Sequence, residues 1–207
     1  MIKKLLIANR GEIAVRIARA CAEMGIKSVA VFAEADRYAL HVKKADEAYS
    51  LGPDTVAGYL NAHHLVNIAV ATGCDAVHPG YGFLSENPEL AEICKRRGIY
   101  FVGPDAETIH KLGDKTIARQ TMTSAGIPVT PGSNDNVADL KEAQSIANDI
   151  GYPVMLKATS GGGGRGIRRC DNESELIRNY PRVISEAEKA FGNAEVFIEK
   201  FIANPRH

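Results

Sequence analysis

Residues 4–32, KLLIANRGEIAVRIARACAEMGIKSVAVF, decide the fold. A short apolar run, KLLIA at 4–8, ends at Asn9-Arg10-Gly11. From Ile13 the apolar positions Ile13, Ile17, Ala20, Cys21 and Met24 recur at helical spacing, and Gly25 stands where a helix closes on glycine. KSVAVF at 27–32 then reads as a buried strand. A helix joining two apolar strands implies parallel pairing with a right-handed crossover.

The same alternation continues outward. Helical spacing runs through 61–72, a strand lies around Asp75-Ala76-Val77, a helix runs from about Glu86 to Lys95, and IYFVG at 99–103 is a strand. Residues 1–103 therefore predict an α/β domain built on a doubly wound parallel sheet. Helices at 105–112 and 114–125 follow, and AGIPVTPGS at 125–133 reads as a linker, so that 104–132 form a connection. From 133 to 207 the spacing predicts a helix near 137–149, a strand YPVMLKA, a glycine run, a short strand IRRC, helix within 172–191 and a last strand EVFIEKFI at 195–202. That last strand is expected to lack a strand partner, and the ending at Asn204-Pro205-Arg206-His207 looks like an interruption of the second domain.

Composition narrows the function classes. Lys+Arg and Asp+Glu both total 25 in 207 residues, so no global basic field draws in nucleic acid and any anion site is local. Cys21, Cys74, Cys94 and Cys170 are far apart and form no C-x-x-C pair, which suggests reduced, buried thiols in a cytoplasmic protein rather than zinc or disulfides. The N-terminal apolar run is too short for a signal-peptide core, and no segment approaches the roughly 18 apolar residues of a membrane span.

The stretch VMLKATSGGGGRGIRR at 154–169 carries the chemistry. A Walker loop ends in Gly-Lys-Ser/Thr, but Gly166 is followed by Ile167-Arg168. Gly161, Gly163 and Gly166 match G-x-G-x-x-G literally, yet an extended segment follows where a helix should open. A glycine-rich hairpin folded over nucleotide phosphates fits best, because it offers backbone N–H groups without side chains in the way. Lys157, on the strand leading in, would add a point charge, worth roughly 4 kcal/mol at about 4 Å in a partly shielded site before desolvation. A solvated surface loop is the alternative, but flanking strands and Arg165 inside the run are unlike a flexible linker.

Other motifs are weaker. ANRGEIA holds only Gly11 where a dinucleotide fingerprint wants three glycines, which disfavours NAD binding with Glu34 or Asp36 as the ribose acid. His78-Pro79-Gly80-Tyr81-Gly82-Phe83 follows a strand's carboxyl end, where ligands bind in open α/β sheets; it also reads as a tight turn with Ser85 or Asn87 capping the next helix. His63 and His64 have no acid or cysteine at metal-ligand spacing, and Asp46 and Glu47 read as a solvated surface pair.

The strings IANRGEIAVRIARAC, HPGYGFLSEN, GDK, KATSGGGGRG, EKF and NPRH, in this order and spacing, resemble biotin carboxylase, an ATP-grasp family. Its members occur alone, as a subunit of bacterial acetyl-CoA carboxylase, or at the front of pyruvate and propionyl-CoA carboxylases. The resemblance covers the whole chain, and HPGYGFLSEN is its specific string, since other ATP-grasp ligases share only the fold and a glycine loop. It implies a pre-ATP-grasp domain followed by an incomplete ATP-grasp lid domain, with alternatives in a non-catalytic nucleotide-binding module or another ATP-grasp ligase.

The resemblance also implies roles. Lys115 and Lys157 would contact ATP phosphates, Lys157 also lying near the purine, and Gly163 and Gly164 would donate N–H groups to the phosphates. Glu199 would accept from the adenine amino group, the backbone of Lys200 and Ile202 would take the purine edge, with Phe201 facing the other way, and His207 would lie near the ribose. Tyr81 and Gly82 would flank biotin. Mg-ATP, bicarbonate, biotin on a carrier protein or domain, a carboxyltransferase and a homo-oligomeric parent are implied, with fatty acid biosynthesis as the setting in acetyl-CoA carboxylase. The family's magnesium ligands, bicarbonate-binding residues and base correspond to positions beyond 207, so no catalytic or metal-binding residue is expected within the chain, and the chain alone is expected to be inactive.

Overall fold

The computed structural model describes residues 1–53, 56–113, 115–159, 166–192 and 194–206, with the backbone alone for Lys115, Ala190 and Phe191. The chain divides into two units, Met1–Gly113 and Asp114–His207.

The first unit runs β1 (Lys4–Ile7), α1 (Gly11–Glu23), β2 (Lys27–Phe32), α2 (Leu40–Lys44), β3 (Glu47–Ser50), α3 (Ala62–Ala71), β4 (Ala76–His78), α4 (Pro88–Arg96), β5 (Tyr100–Phe101) and α5 (Ala106–Gly113). All strand pairs are parallel, in the order β3-β2-β1-β4-β5. Alternating side chains fill both faces. Leu6, Val29, Val31 and Val77 pack with Leu65, Leu90, Cys94 and Ile109 from α3, α4 and α5. Leu5, Ile7 and Ala76 meet Ile13, Ala14, Ile17 and Cys21 of α1. Helix α1 stops as its sequence demands: Gly25 takes φ +69°, Ile26 N–H reaches the Cys21 carbonyl at 2.8 Å, and Gly25 N–H reaches that of Ala22 at 3.2 Å.

The strand order reverses direction between β1 and β4, and Asn9-Arg10-Gly11 and the 78–83 turn follow these two strands. The crevice at their carboxyl ends is where an open α/β sheet binds ligands. Strand β3 and helix α2 carry no clear sequence signal, because β3 is a half-exposed edge strand. The acids beside it lie at the surface, and each also has a partner within the fold. Asp46 accepts from the Ser28 N–H and hydroxyl, each at 2.7 Å, and Glu47 binds Lys4 Nζ at 2.8 Å. The two carboxylates thus stitch β3 to β2 and β1.

The second unit runs α6 (Lys115–Ser124), α7 (Leu140–Ile150), β6 (Val154–Ala158), β7 (Ile167–Cys170), α8 (Glu173–Phe191) and β8 (Val196–Lys200), with an antiparallel sheet ordered β7-β6-β8. Val154, Leu156, Cys170, Val196 and Ile198 pack on Ala143 and Ala147 of α7 and on Leu176, Tyr180 and Val183 of α8. Asp139 and Asn172 cap the starts of those helices through the Glu142 and Glu175 N–H groups. The intervening strand residues Met155, Lys157, Ile167, Arg169 and Glu199 turn to the face away from α7 and α8.

Here two sequence expectations fail. Strand β8 does have a partner: it pairs with β6 from Val154↔Lys200 to Ala158↔Val196. Its other edge is also covered, by the end of the segment expected to be a linker. Lys200 N–H donates to Pro131 O at 2.7 Å, Ser133 N–H to Ile198 O at 2.7 Å, Ile198 N–H to Ser133 Oγ at 3.1 Å, and Val137 N–H to Val196 O at 2.8 Å. A proline can serve at a strand edge by its carbonyl alone, and turn-forming residues hide an extended strap from composition-based reading. Among the described residues, no helix is long and apolar enough to cross a membrane.

Candidate functional site

Strand register brings together the two charged residues singled out in the second unit. Met155 lies opposite Glu199 and Lys157 opposite Phe197, so Lys157 and Glu199 are diagonal neighbours on the face away from the helices. They form an ion pair, Lys157 Nζ to the Glu199 carboxylate, with side chains 25% and 20% exposed. Ala158 N–H donates to Gly166 O at 2.8 Å, and β6 and β7 pair as far as Lys157↔Ile167, so the glycine run joins the two strands of a hairpin. Gly163, Gly164 and His207 lie outside the described residues. Lys115 opens α6.

The residues after Glu199 divide their roles. Lys200 turns its Nζ to the carbonyls of Gly151 and Tyr152, at 2.9 and 3.1 Å, where it serves the end of α7. The Phe201 ring lies 4.3 Å beneath the Arg169 guanidinium carbon, and its N–H donates to Pro153 O at 3.1 Å. Ile202 is exposed.

In the first unit the turn after β4 is held from below by Asn9, which is 3% exposed. Asn9 Nδ2 donates to Pro79 O at 2.7 Å and Tyr81 O at 2.8 Å, while its Oδ1 accepts from Arg10 N–H at 2.8 Å. Gly80 takes φ +66°, and a Cβ there would stand 2.9 Å from Asn9 Nδ2. Gly82 also takes φ +66°, and Tyr81 between the two glycines is 62% exposed. The Tyr81 hydroxyl donates to Glu12 at 3.2 Å, and this bond holds the phenol above its ordinary range. Tyr81, Gly80 and His78 line, with Ile13 and Ile17, an apolar groove of about 490 Å³. Phe83, at φ +41°, stacks on Tyr59 with ring centroids 5.2 Å apart. The cap of α4 is Asn87, whose Oδ1 accepts from the Glu89 and Leu90 N–H groups.

A network next to this turn escaped the sequence. Arg10 Nε donates to Asp36 at 2.6 Å, the Tyr59 hydroxyl donates to the same carboxylate at 2.8 Å, and Ala33 N–H donates to the Tyr59 hydroxyl at 3.1 Å. The Arg10 guanidinium holds the Asp36 carboxyl below the usual carboxylate range, and burial pushes the Tyr59 phenol up to about 12. Asp36 is thereby spent within the fold, which disposes of it as a ribose acid. Its only trace in the sequence is an acid shortly after β2.

Among the described residues, no three of His, Cys, Asp or Glu gather to hold a metal ion. His63 lies 3.6 Å from Glu89 on the surface, both side chains well exposed.

Two family models match the chain: biotin carboxylase, N-terminal domain, over residues 1–109, and carbamoyl-phosphate synthase L chain, ATP binding domain, over residues 114–207. Biotin carboxylase 1 of Bacillus subtilis is 56% identical over all of this chain and 46% of its own length. A crystal structure of a biotin carboxylase–βγ-ATP complex from Campylobacter jejuni superposes with a TM-score of 0.93 at 46% identity, covering 100% of this chain and 46% of that one. The biotin carboxylase domain dimer of Hydrogenobacter thermophilus 2-oxoglutarate carboxylase, solved with MgADP, ADP and bicarbonate, gives 0.91 at 51% identity, covering 98% and 45%. The chain thus spans about half the length of the relatives it matches. With one model covering more than half of its residues and sequence identity of this order throughout, the chain belongs to the biotin carboxylase family.

Proposed function

We propose that the chain supplies the nucleotide-binding front portion of an ATP-dependent biotin carboxylase, which uses Mg-ATP and bicarbonate to carboxylate biotin on a carrier protein or domain. The observation that carries this reading is the meeting of Lys157 and Glu199 on the face of β6 and β8 turned away from the helices, beside the glycine hairpin. A cation and a carboxylate that pair with each other while still partly open to water can exchange partners with a nucleotide at little cost: phosphate takes the ammonium, and the adenine amino group takes the carboxylate. Lys115 and the Gly163 and Gly164 N–H groups complete the phosphate contacts in this reading. The backbone of Lys200 and Ile202 serves the purine edge, Phe201 closes the strand end beside it, and His207 lies by the ribose. The Lys200 N–H is engaged with Pro131, so its contribution is the carbonyl.

Tyr81 and Gly82 form the wall against which biotin lies, a role suited to an exposed ring between two glycines of left-handed φ. Magnesium enters with the nucleotide as substrate, and in this reading the groups that hold it and that activate bicarbonate and biotin belong to the remainder of the enzyme. The proposed divisions are a pre-ATP-grasp domain at 1–103, a connection at 104–132 and a lid from 133. A carboxyltransferase receives the carboxyl group, and the parent assembles as a homo-oligomer, as the matched dimer does. The acyl acceptor is chosen elsewhere, so acetyl-CoA carboxylation and fatty acid biosynthesis are one setting among several that such a front portion serves. Four free, buried cysteines support a reducing compartment, the cytoplasm.

Calorimetric titration of Mg-ATP into the purified chain tests the reading. Saturable binding is expected, weakened at least about tenfold by Lys157→Ala. Absence of binding by the folded chain, or equal binding by the variant, overturns it.

A further inference from the structure

We propose that Gly132 is a specificity-determining position of the nucleotide site, resting on the reading above: its missing side chain keeps clear the floor beside Glu199 on which an amino-bearing purine is recognised. Gly132 bridges Glu199 in antiparallel fashion, flanked by the bonds from Ser133 N–H to Ile198 O and from Lys200 N–H to Pro131 O. Residues opposed between such bonds form the close, non-hydrogen-bonded type of pair, whose side chains stand next to each other on one face. Any side chain at 132 would therefore project on the face of Glu199.

The clearance is small. A Cβ at Gly132 would overlap Ile198 O and stand 2.9 Å from Glu199 Cα and 3.1 Å from Glu199 Cβ. Gly132 is not one of the glycines with left-handed φ, so space rather than backbone conformation accounts for it. Ser133 locks the strap in place. It is 4% exposed, its N–H donates to Ile198 O, and its hydroxyl accepts from Ile198 N–H at 3.1 Å. The strap and Lys157 thus bracket Glu199, one through the backbone and one through the carboxylate. Adenine offers an amino donor where guanine carries a carbonyl, so a carboxylate held in this place accepts from the first and repels the second. A methyl group at 132 intrudes on that place and displaces β8, and the preference is lost.

The test is calorimetry of Mg-ATP and Mg-GTP with the wild-type chain, Gly132→Ala, Ser133→Ala and Ser133→Thr, with hydrogen exchange of residues 196–200 on each. Wild type is expected to prefer ATP at least tenfold. In Gly132→Ala, ATP binding falls about tenfold or more while GTP binding stays within twofold. Ser133→Ala shifts the ratio the same way by a smaller factor, and Ser133→Thr restores it. An unchanged ATP:GTP ratio, or a parallel loss of both nucleotides accompanied by faster exchange, makes the glycine a packing residue alone and overturns the proposal. If Gly132→Ala does not fold, the ratio in Ser133→Ala decides. Wild type that binds neither nucleotide refutes the nucleotide reading itself, and the proposal falls with it.

Discussion

The two units place their candidate residues by opposite means. In the first, Asn9, Arg10, Tyr81 and Gly82 sit in turns at the ends of parallel strands, and their positions come from buried hydrogen bonds and left-handed glycines. In the second, Lys157 and Glu199 sit on strands, and their positions come from register alone: a one-residue slip of β8 would send Glu199 to the helix face. A turn is specified locally, whereas a face is specified by the hydrophobic core behind it. The stability of the Val154, Leu156 and Ile198 core is therefore the condition for the Lys157–Glu199 pair to exist, while the Tyr81 turn depends on a polar network.

The broadest break of this comparison would be a shared core. Leu90 belongs to one core and Leu176 to the other, both with no exposed surface. Leu90→Ala and Leu176→Ala should each cost about 2–5 kcal/mol through lost transfer energy and the cavity left behind. Hydrogen-exchange mass spectrometry should show protection lost within 1–113 for the first and within 114–207 for the second. Loss in both units from either substitution would mean that they unfold as one body.

A second experiment compares the two carboxylates. Asp36 is buried, with Arg10 on one side and the Tyr59 hydroxyl on the other, so Asp36→Asn should destabilise the first unit by about 2–3 kcal/mol, as loss of hydrogen bonds to a buried charge does. Lys157→Met removes one half of a pair still open to water and should cost about 1 kcal/mol or less in the second. Urea midpoints read locally would check both. A larger cost for Lys157→Met than for Asp36→Asn would make the Lys157–Glu199 pair a structural element rather than a pair held ready for a ligand.

What the sequence disclosed follows the same division. The β1–α1–β2 run was legible because two periods and one terminal glycine agree over 29 residues; β6 and β8 were legible as apolar runs, and β7 as the short extended segment after the glycines. Strand β3 was hidden by half-exposure, and the 131–137 strap by residues that signal a turn when no partner is known. Lys157 and Glu199 were each singled out, yet their ion pair spans 42 positions and required the register. Arg10, Asp36 and Tyr59 are separated by 26 and 23 residues, and no local pattern links them. Local propensity reads elements; contacts between elements come only from the fold.

The mildest perturbation is a change of pH, whose effect is expected to be confined to the first unit. Every described histidine lies there. His41 is 1% exposed, its Nε2 lies 3.3 Å from Val31 O, and its Nδ1 has no partner among the described residues. Asp36 and Arg10 are the charged groups acting on it, with opposite signs, and burial dominates both, holding the imidazole below its ordinary 6.5. Burial lowers His78 likewise. The unfolded chain then takes up protons near pH 6.5 that the folded chain takes up only at lower pH. Stability is accordingly full above 6.5 and is lost as pH falls from there toward the folded value, by at most about 1.4 kcal/mol per pH unit for each such histidine. Asp36, whose carboxyl is lowered, adds its own loss only near and below about pH 4. Protection factors measured at pH 7 and pH 5.5 should therefore fall within 1–113 and hold within 114–207. His41→Gln should remove part of the fall, leaving the share of His78. An equal fall in both units would trace the effect to net charge, and an undiminished fall in His41→Gln would place it on another group.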